Sequence, residues 1–295
     1  MAQRRFGSVD STGRKLDIIE NYLLMYQMAL GNTGFHTIYV DGFAGSGEVP
    51  LGVHDEGLFD EEVKTILTGS ASRALNISPA FSRYIFIDKR QKCIDALSAK
   101  FINRPNADRV KFLVSDANKE IRDLCANEQW RSQRGVVLLD PFGSQVEWAT
   151  IEAIAATKAL DLWYLFPAGV SVFRQIGNAG TVHDTHGAAI TRIFGTEDWR
   201  GAFLTPTAQS DLFGEYPRHA KNVTPESAAQ FMIERLKRIF KGGVLDDMIP
   251  LGKNAYPSFY LLFAWGNPSP KASALAKKLS KAAVKATDRK HGRLV

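Results

Sequence analysis

Five short runs of apolar and β-branched residues alternate with helical segments between positions 35 and 167, and four of the five are followed by aspartate. The runs are FHTIYV (Phe35 to Val40), YIFI (Tyr84 to Ile87), VKFLVS (Val110 to Ser115), GVVLL (Gly135 to Leu139) and DLWYLF (Asp161 to Phe166). Asp41, Asp88, Asp116 and Asp140 follow the first four, and Pro167 the fifth. Strands this continuously apolar are buried on both faces, which a parallel sheet covered by helices achieves. Open α/β sheets bind ligands beyond the carboxyl ends of their strands, so the four aspartates are the first candidate site residues.

The elements around these strands follow from periodicity. Residues 15–30 carry Leu16, Ile19, Leu23, Met25 or Tyr26 and Leu30 at helical spacing, with Gly31 as a stop. Residues 48–69 interpose Pro50, Gly52 and the acids Asp55, Glu56, Asp60, Glu61 and Glu62 between the first strand's loop and the next helix, Ser70 to Ile77; they read as an insertion over that loop. Further helices are expected over 92–101, 118–127 and 148–158. From 168 to 226 the pattern lapses into short mixed segments, a substrate-facing insertion. It resumes with a helix over 227–240, led by Thr224 and Pro225, and an antiparallel pair, Val244 to Leu251 with Pro257 to Trp265. The expected division is a helical segment 1–34, a Rossmann-like core 35–167, the insertion 168–226, the end of the core 227–268 and a basic helix 269–295.

That last segment holds most of the chain's charge. Lys271, Lys277, Lys278, Lys281, Lys285, Arg289, Lys290 and Arg293 stand there against Asp288 alone, in a chain of net charge +6. Leu275, Leu279 and Ala282 or Ala283 would form its apolar stripe, and Lys277, Lys278 and Lys281 are candidate phosphate contacts. No run of about 18 apolar residues spans a membrane, and MAQRRFGSVD has no apolar stretch behind its basic residues, so a cytoplasmic protein is expected. Cys93 and Cys125 form no CxxC pair, and buried thiols are the expectation.

The loop DGFAGSG, Asp41 to Gly47, identifies the ligand class. A dinucleotide fold requires G-x-G-x-x-G opening a helix, with an acid about 20 residues on. Here Pro50 stands at the third glycine, Glu48 follows the loop at once, and residues 66–68 lack a carboxylate. No G-K-[ST] follows, which excludes a phosphate loop. A cationic cofactor with a ribose and no phosphate remains, and S-adenosylmethionine fits. Gly42, Phe43, Ala44, Gly45 and Gly47 would let the backbone approach it, with Asp41 facing the amino-acid end. Asp88 would accept the ribose hydroxyls, Asp116 the adenine amino group, and Lys15 could approach the cofactor carboxylate.

DPFGS, Asp140 to Ser144, is the second signal. In a methyl-transferring site, the Asp140 carboxylate and Pro141 carbonyl can accept both hydrogens of an exocyclic amine and so aim its lone pair. Phe142 can stack on the base.

Together DGFAGSG and DPFGS resemble class I S-adenosylmethionine-dependent methyltransferases acting on nucleic-acid amines; the tRNA guanine N2-dimethyltransferases share a DPFG turn. The ordered string KLDIIENYL, YVDGFAGSGEV, GSASRAL, FIDKR, DPFGS, DLWYLFPAGV with Arg174, FGTEDW and FYLLFAW is similar, over most of the chain, to the three-Cys-motif partner protein family. That resemblance implies a methyltransferase-like, seven-stranded fold ending in an antiparallel pair, and a neighbouring radical-S-adenosylmethionine-like partner with three cysteines. The chain departs from the two-proline amine-methylating pattern with Phe142 at the second proline and Gly143 at the aromatic position.

Other constellations are sparser. His183-x-x-His186 with Asp184 lacks a third ligand at recognisable spacing, so no metal is expected. Arg174, Arg192 and Arg200 could clamp phosphates. The leading expectation is thus a methyltransferase presenting a nucleic-acid amine at Asp140, Pro141 and Phe142. The competing expectation is a non-catalytic scaffold of the same fold, serving the three-cysteine partner.

Overall fold

Helix α1 (Val9–Leu30) turns Leu16, Ile19, Leu23 and Tyr26 inward, with Ile18 and Tyr22 beside them, all at most 4% exposed. Gly31 then closes it by donating its backbone N–H to the Gln27 carbonyl at 2.7 Å. The computed structural model describes residues 9–50, 66–211, 214–252 and 256–293. The start of the chain and the acids Asp55, Glu56, Asp60, Glu61 and Glu62 lie outside the described residues.

The five expected strands form as read: β1 (His36–Asp41), β2 (Arg83–Asp88), β3 (Val110–Val114), β4 (Gln133–Leu139) and β5 (Leu160–Phe166). The next stretch, expected as one strand over 244–251, is split into β6 (Gly243–Val244) and β7 (Ile249–Leu251), both antiparallel to β8 (Phe259–Trp265). The sheet runs β6-β8-β5-β4-β1-β2-β3. β1 to β5 are mutually parallel, and β8 runs antiparallel to β5. This mostly parallel order with a terminal antiparallel hairpin is a Rossmann-like arrangement. Strand order reverses at β1, which has β2 on one side and β4 on the other, so their carboxyl ends open a crevice.

Alternation along the strands divides the interior in two. Ile38, Val40, Val137, Leu139, Leu162 and Tyr164 face α4 (Ala117–Asn127), α5 (Trp148–Ala156), α6 (Asp184–Phe194) and α8 (Pro225–Ile239). Tyr39, Val136, Leu138, Trp163 and Leu165 face α1, α2 (Ser70–Leu75), α3 (Gln91–Phe101) and α9 (Pro270–Lys290). Within 168–226, α6 and α7 (Trp199–Phe203) send Ile190, Phe194 and Trp199 into the first cluster. A ribbon of Leu204–Asp211 with Gly214–Lys221 follows. Glu48–Pro50 pairs with Ile66–Thr68 at the base of the insertion after β1.

Two expectations of packing are corrected. The buried line of α9 is Ala276, Ser280, Ala283 and Thr287, one position from the expected leucines, with Leu279 only partly buried. Small residues win because α9 lies directly on α1, where leucines in the seam would hold the helices apart. Cys93 and Cys125 are half-buried free thiols rather than core residues; burial still pushes the Cys125 thiol up to about 12. Among the described residues, no helix is long and apolar enough to cross a membrane.

Candidate active site

The glycine loop curls over the end of β2. Gly42 donates its N–H to Leu138 at 3.0 Å and Ala44 to Ile87 at 2.9 Å, bonds that continue the ladder on either side of β1. Gly45 and Gly47 adopt φ of +59° and +74°, a region side chains disfavour. A Cβ on Gly47 would stand 2.6 Å from Leu97 Cδ1.

Asp41, directly after β1's last apolar residue, is fully buried. It accepts from Ser70 Oγ at 2.6 Å and the Phe43 N–H at 3.1 Å. Burial pushes its carboxyl up to about 6, with the nearby Asp140 charge adding to the rise. Asp41 therefore braces the loop from beneath.

Asp88 ends β2 at 7% exposure. Its oxygens accept from the Gly45 N–H at 3.1 Å, the Arg90 N–H at 2.8 Å, and Arg90 Nε and Nη2 at 3.0 Å each. Desolvation opposes its charge, but the Arg90 hydrogen bonds hold it below the usual carboxylate range. Asp116 is the N-cap of α4, accepting from the Lys119 N–H at 3.1 Å, and pairs with Lys89 at 2.6 Å. Its carboxylate thus sits at the positive end of the helix dipole. Gly42, Phe43, Asp88, Arg90, Asp116 and Phe142 line one cleft of about 260 Å³.

The DPFGS turn closes that cleft. Pro141 is buried, whereas Phe142 is 70% exposed, with the Arg90 guanidinium 5.5 Å from its ring centre. The turn is braced along its length. Phe142 N–H donates to Gln145 Oε1 at 2.9 Å, Asn118 Nδ2 to the Gln145 carbonyl at 2.9 Å, and Arg192 Nη2 to the Ser144 carbonyl at 3.0 Å. Lys15 Nζ donates to Asp140 Oδ2. α1 passes the DPFGS turn with Lys15 buried against it, and this pair stands beside the expectation that Lys15 approaches a cofactor carboxylate.

The expected phosphate clamps divide. Arg192 supports the turn, and Arg200 pairs with Glu197 at 2.6 Å while lying over Trp199. Arg174 is exposed on a single turn, Phe173–Gln175. Lys277, Lys278 and Lys281 are exposed on α9, Lys281 lying 3.3 Å from Asp247. His183 caps α6 through Thr185, and among the described residues no group of three or more His, Cys, Asp or Glu could hold a metal ion. Arg90, Lys89, Asn118 and Gln145 were not singled out from sequence. The adjacent cations after Asp88 in FIDKR were the legible sign of the first two; Asn118 and Gln145 leave none, since they act through backbone contacts between distant segments.

No family model matches the chain, and no curated protein matches it. Solved structures do resemble it. Protein LPL1258 from Legionella pneumophila is 12% identical, with 91% of this chain and 92% of that one covered, at a TM-score of 0.48. A Bacillus cereus O-methyltransferase in complex with S-adenosylhomocysteine is 12% identical over 70% and 81%, at 0.35. The glycopeptide N-methyltransferase MtfA, also with S-adenosylhomocysteine, is 10% identical over 90% and 94%, at 0.34.

Proposed function

We propose that this chain is an S-adenosylmethionine-dependent methyltransferase that presents an exocyclic amine of a nucleic-acid base at its DPFG turn. The observation that carries the reading is the single cleft joining the glycine loop, Asp88, Asp116 and Phe142 at the reversal of strand order. The donor set fits this cofactor. Gly42 brings backbone without side chain to the cleft, Asp88 offers a carboxylate to a ribose diol, and Asp116 offers an acceptor to adenine.

When bound, the cofactor supplies an activated methyl group on a sulfonium. The chain's part is orientation. The Pro141 carbonyl and one oxygen of Asp140 accept the two amine hydrogens, so that the nitrogen lone pair points toward the cleft, and Phe142 offers an exposed ring for the base to stack on. Arg174 and the exposed lysines Lys277 and Lys278 would meet the backbone of the acceptor. Membership of the three-Cys-motif partner family, with a cytoplasmic radical-S-adenosylmethionine-like partner, is part of this proposal.

A second reading, a non-catalytic scaffold for that partner, is favoured by one observation: both key acceptors are already paired, Asp88 with Arg90 and Asp140 with Lys15.

Calorimetric titration with S-adenosylmethionine and S-adenosylhomocysteine, beside Asp88→Ala, tests the cofactor. Saturable binding lost in Asp88→Ala is expected. Absence of binding at about 1 mM, weaker than about −4 kcal/mol, overturns the reading. A radiolabelled-methyl screen over tRNA, rRNA and DNA then tests the acceptor. Asp140→Ala should abolish transfer and spare cofactor binding; unchanged transfer would take Asp140 out of the chemistry, and a wild-type chain that binds the cofactor without methylating any of these acceptors would move the assignment to the scaffold.

A further inference from the structure

Lys15 is a buried cation whose partner lies 125 residues away in the DPFGS turn, and the helix that carries it is fastened on both sides of it. One residue earlier, Arg14 donates through Nε to Asp288 Oδ1 at 2.7 Å and through Nη1 to the Pro250 carbonyl at 3.2 Å. Two residues later, Asp17 is held by Arg73 at 2.6 Å and by Lys290 and His291 at 2.9 Å. Asn21 donates to Thr287 Oγ1 at 3.0 Å. The end of α9, β7 and α2 thus all grip the start of α1, far more polar fastening than one helix needs to cover a sheet. Of these side chains, Lys15 is bonded to the DPFGS turn.

Beneath the pair lies the buried Asp41 carboxyl. The groups facing it are Ser70 from α2, Lys15 from α1, Asp140 from the turn after β4, and Tyr39 on its own strand. Lys15 is the cation of this group and Asp140 the carboxylate that repels Asp41. Without Lys15, two carboxylates would face each other with no counter-charge, and Asp140 would be pushed away from Asp41.

Resting on the methyltransferase reading above, we propose that Lys15 is a positioning residue for the acceptor. It fixes Asp140 through Oδ2 and leaves the other oxygen, with the Pro141 carbonyl, to receive a neutral amine. The polar clasp of α1 with α2, β7 and the end of α9 serves to hold Lys15 there. The role differs from cofactor binding, because the ammonium is spent on Asp140. It also gives the C-terminal helix a duty toward the site besides its exposed lysines.

The test uses the full chain with ¹³C-labelled aspartate, the Asp41 resonance being assigned by its loss in Asp41→Asn. Lys15→Met should raise the Asp41 midpoint, Asp140→Asn should lower it, and Lys15→Arg should leave it near the wild-type value. In the radiolabelled-methyl assay on total tRNA and rRNA, Lys15→Met should lower kcat about 10²-fold, with calorimetric S-adenosylhomocysteine affinity unchanged. Lys15→Arg should restore most of that rate, and melting temperatures show whether each variant folds. An unmoved Asp41 midpoint in Lys15→Met, or a wild-type rate, overturns the proposal. Equal losses in rate and cofactor affinity overturn it as well and assign Lys15 to the cofactor. A wild-type chain that binds the cofactor but methylates neither RNA nor DNA overturns the methyltransferase reading, and with it any role toward an acceptor, whatever the titration shows.

Discussion

Replacing Asp161 with asparagine should flatten the dependence of stability on pH. Asp161 is the second residue of β5 and is buried at 8% exposure; it accepts a hydrogen bond from Tyr22 Oη at 2.7 Å. Burial pushes its carboxyl up to about 7, partly offset by the Tyr22 and Gly266 hydrogen bonds. Its unfolded value is 3.8, so between these values the folded chain holds a proton that the unfolded chain has released. Stability must then fall as pH rises from about 4 to about 7 and level off above, by linkage. Three pH units at about 1.4 kcal/mol each make about 4 kcal/mol in full, of which about 3 kcal/mol falls between pH 5 and pH 8. Asparagine has the shape and the donor–acceptor set of the protonated acid, so Asp161→Asn keeps the Tyr22 contact and loses the titration. Urea unfolding at pH 5 and pH 8 measures the effect. The variant should gain about 3 kcal/mol on the wild type between the two pH values, with unchanged m. Parallel curves for the two chains would show that Asp161 titrates normally and that the site is hydrated, refuting the argument from burial.

Arg90→Ala should tighten S-adenosylhomocysteine binding. A ribose diol on Asp88 must displace the half-exposed guanidinium, a pair worth about 1 kcal/mol or about fivefold in Kd; weaker calorimetric binding would mean that Arg90 is itself a cofactor contact. Gly47→Ala should destabilise the chain by about 1–3 kcal/mol in urea unfolding, since φ is +74° and Leu97 stands 2.6 Å from the added Cβ, whereas Gly45→Ala, with open space around its Cβ, should cost less. Asp17 carries the acid limb. Although desolvation opposes its charge, hydrogen bonds from Arg73, Lys290 and His291 lower it from 3.8 to about 2, so its stabilisation is complete above pH 4 and is lost as pH falls through that range. Asp17→Asn should abolish that part of the acid transition in circular dichroism and cost about 2–3 kcal/mol at pH 7 by leaving Arg73 short of a partner.

The five parallel strands, the aspartates that follow four of them and the helices between them were all legible in the sequence. Each is decided by local periodicity and by where an apolar run stops. The glycine loop and DPFGS were legible too, as both are contiguous and their backbone demands are written in residue type. Less was visible where neighbours come from far along the chain. The strand expected over 244–251 divides in two, and the buried face of α9 is its small residues, because α1 lies against it. Arg192 and Arg200, equal as exposed arginines in the sequence, part company once one reaches the Ser144 carbonyl and the other its own helical turn.

By itself the sequence determined the layers, the carboxyl edge and the chemical types gathered there, because strand and helix are short-range outcomes of hydrophobic pattern. Only the tertiary structure decided which charge meets which. Lys15 with Asp140 and Arg14 with Asp288 are separated by 125 and 274 positions. Burial away from water is what makes each of these distant partners necessary.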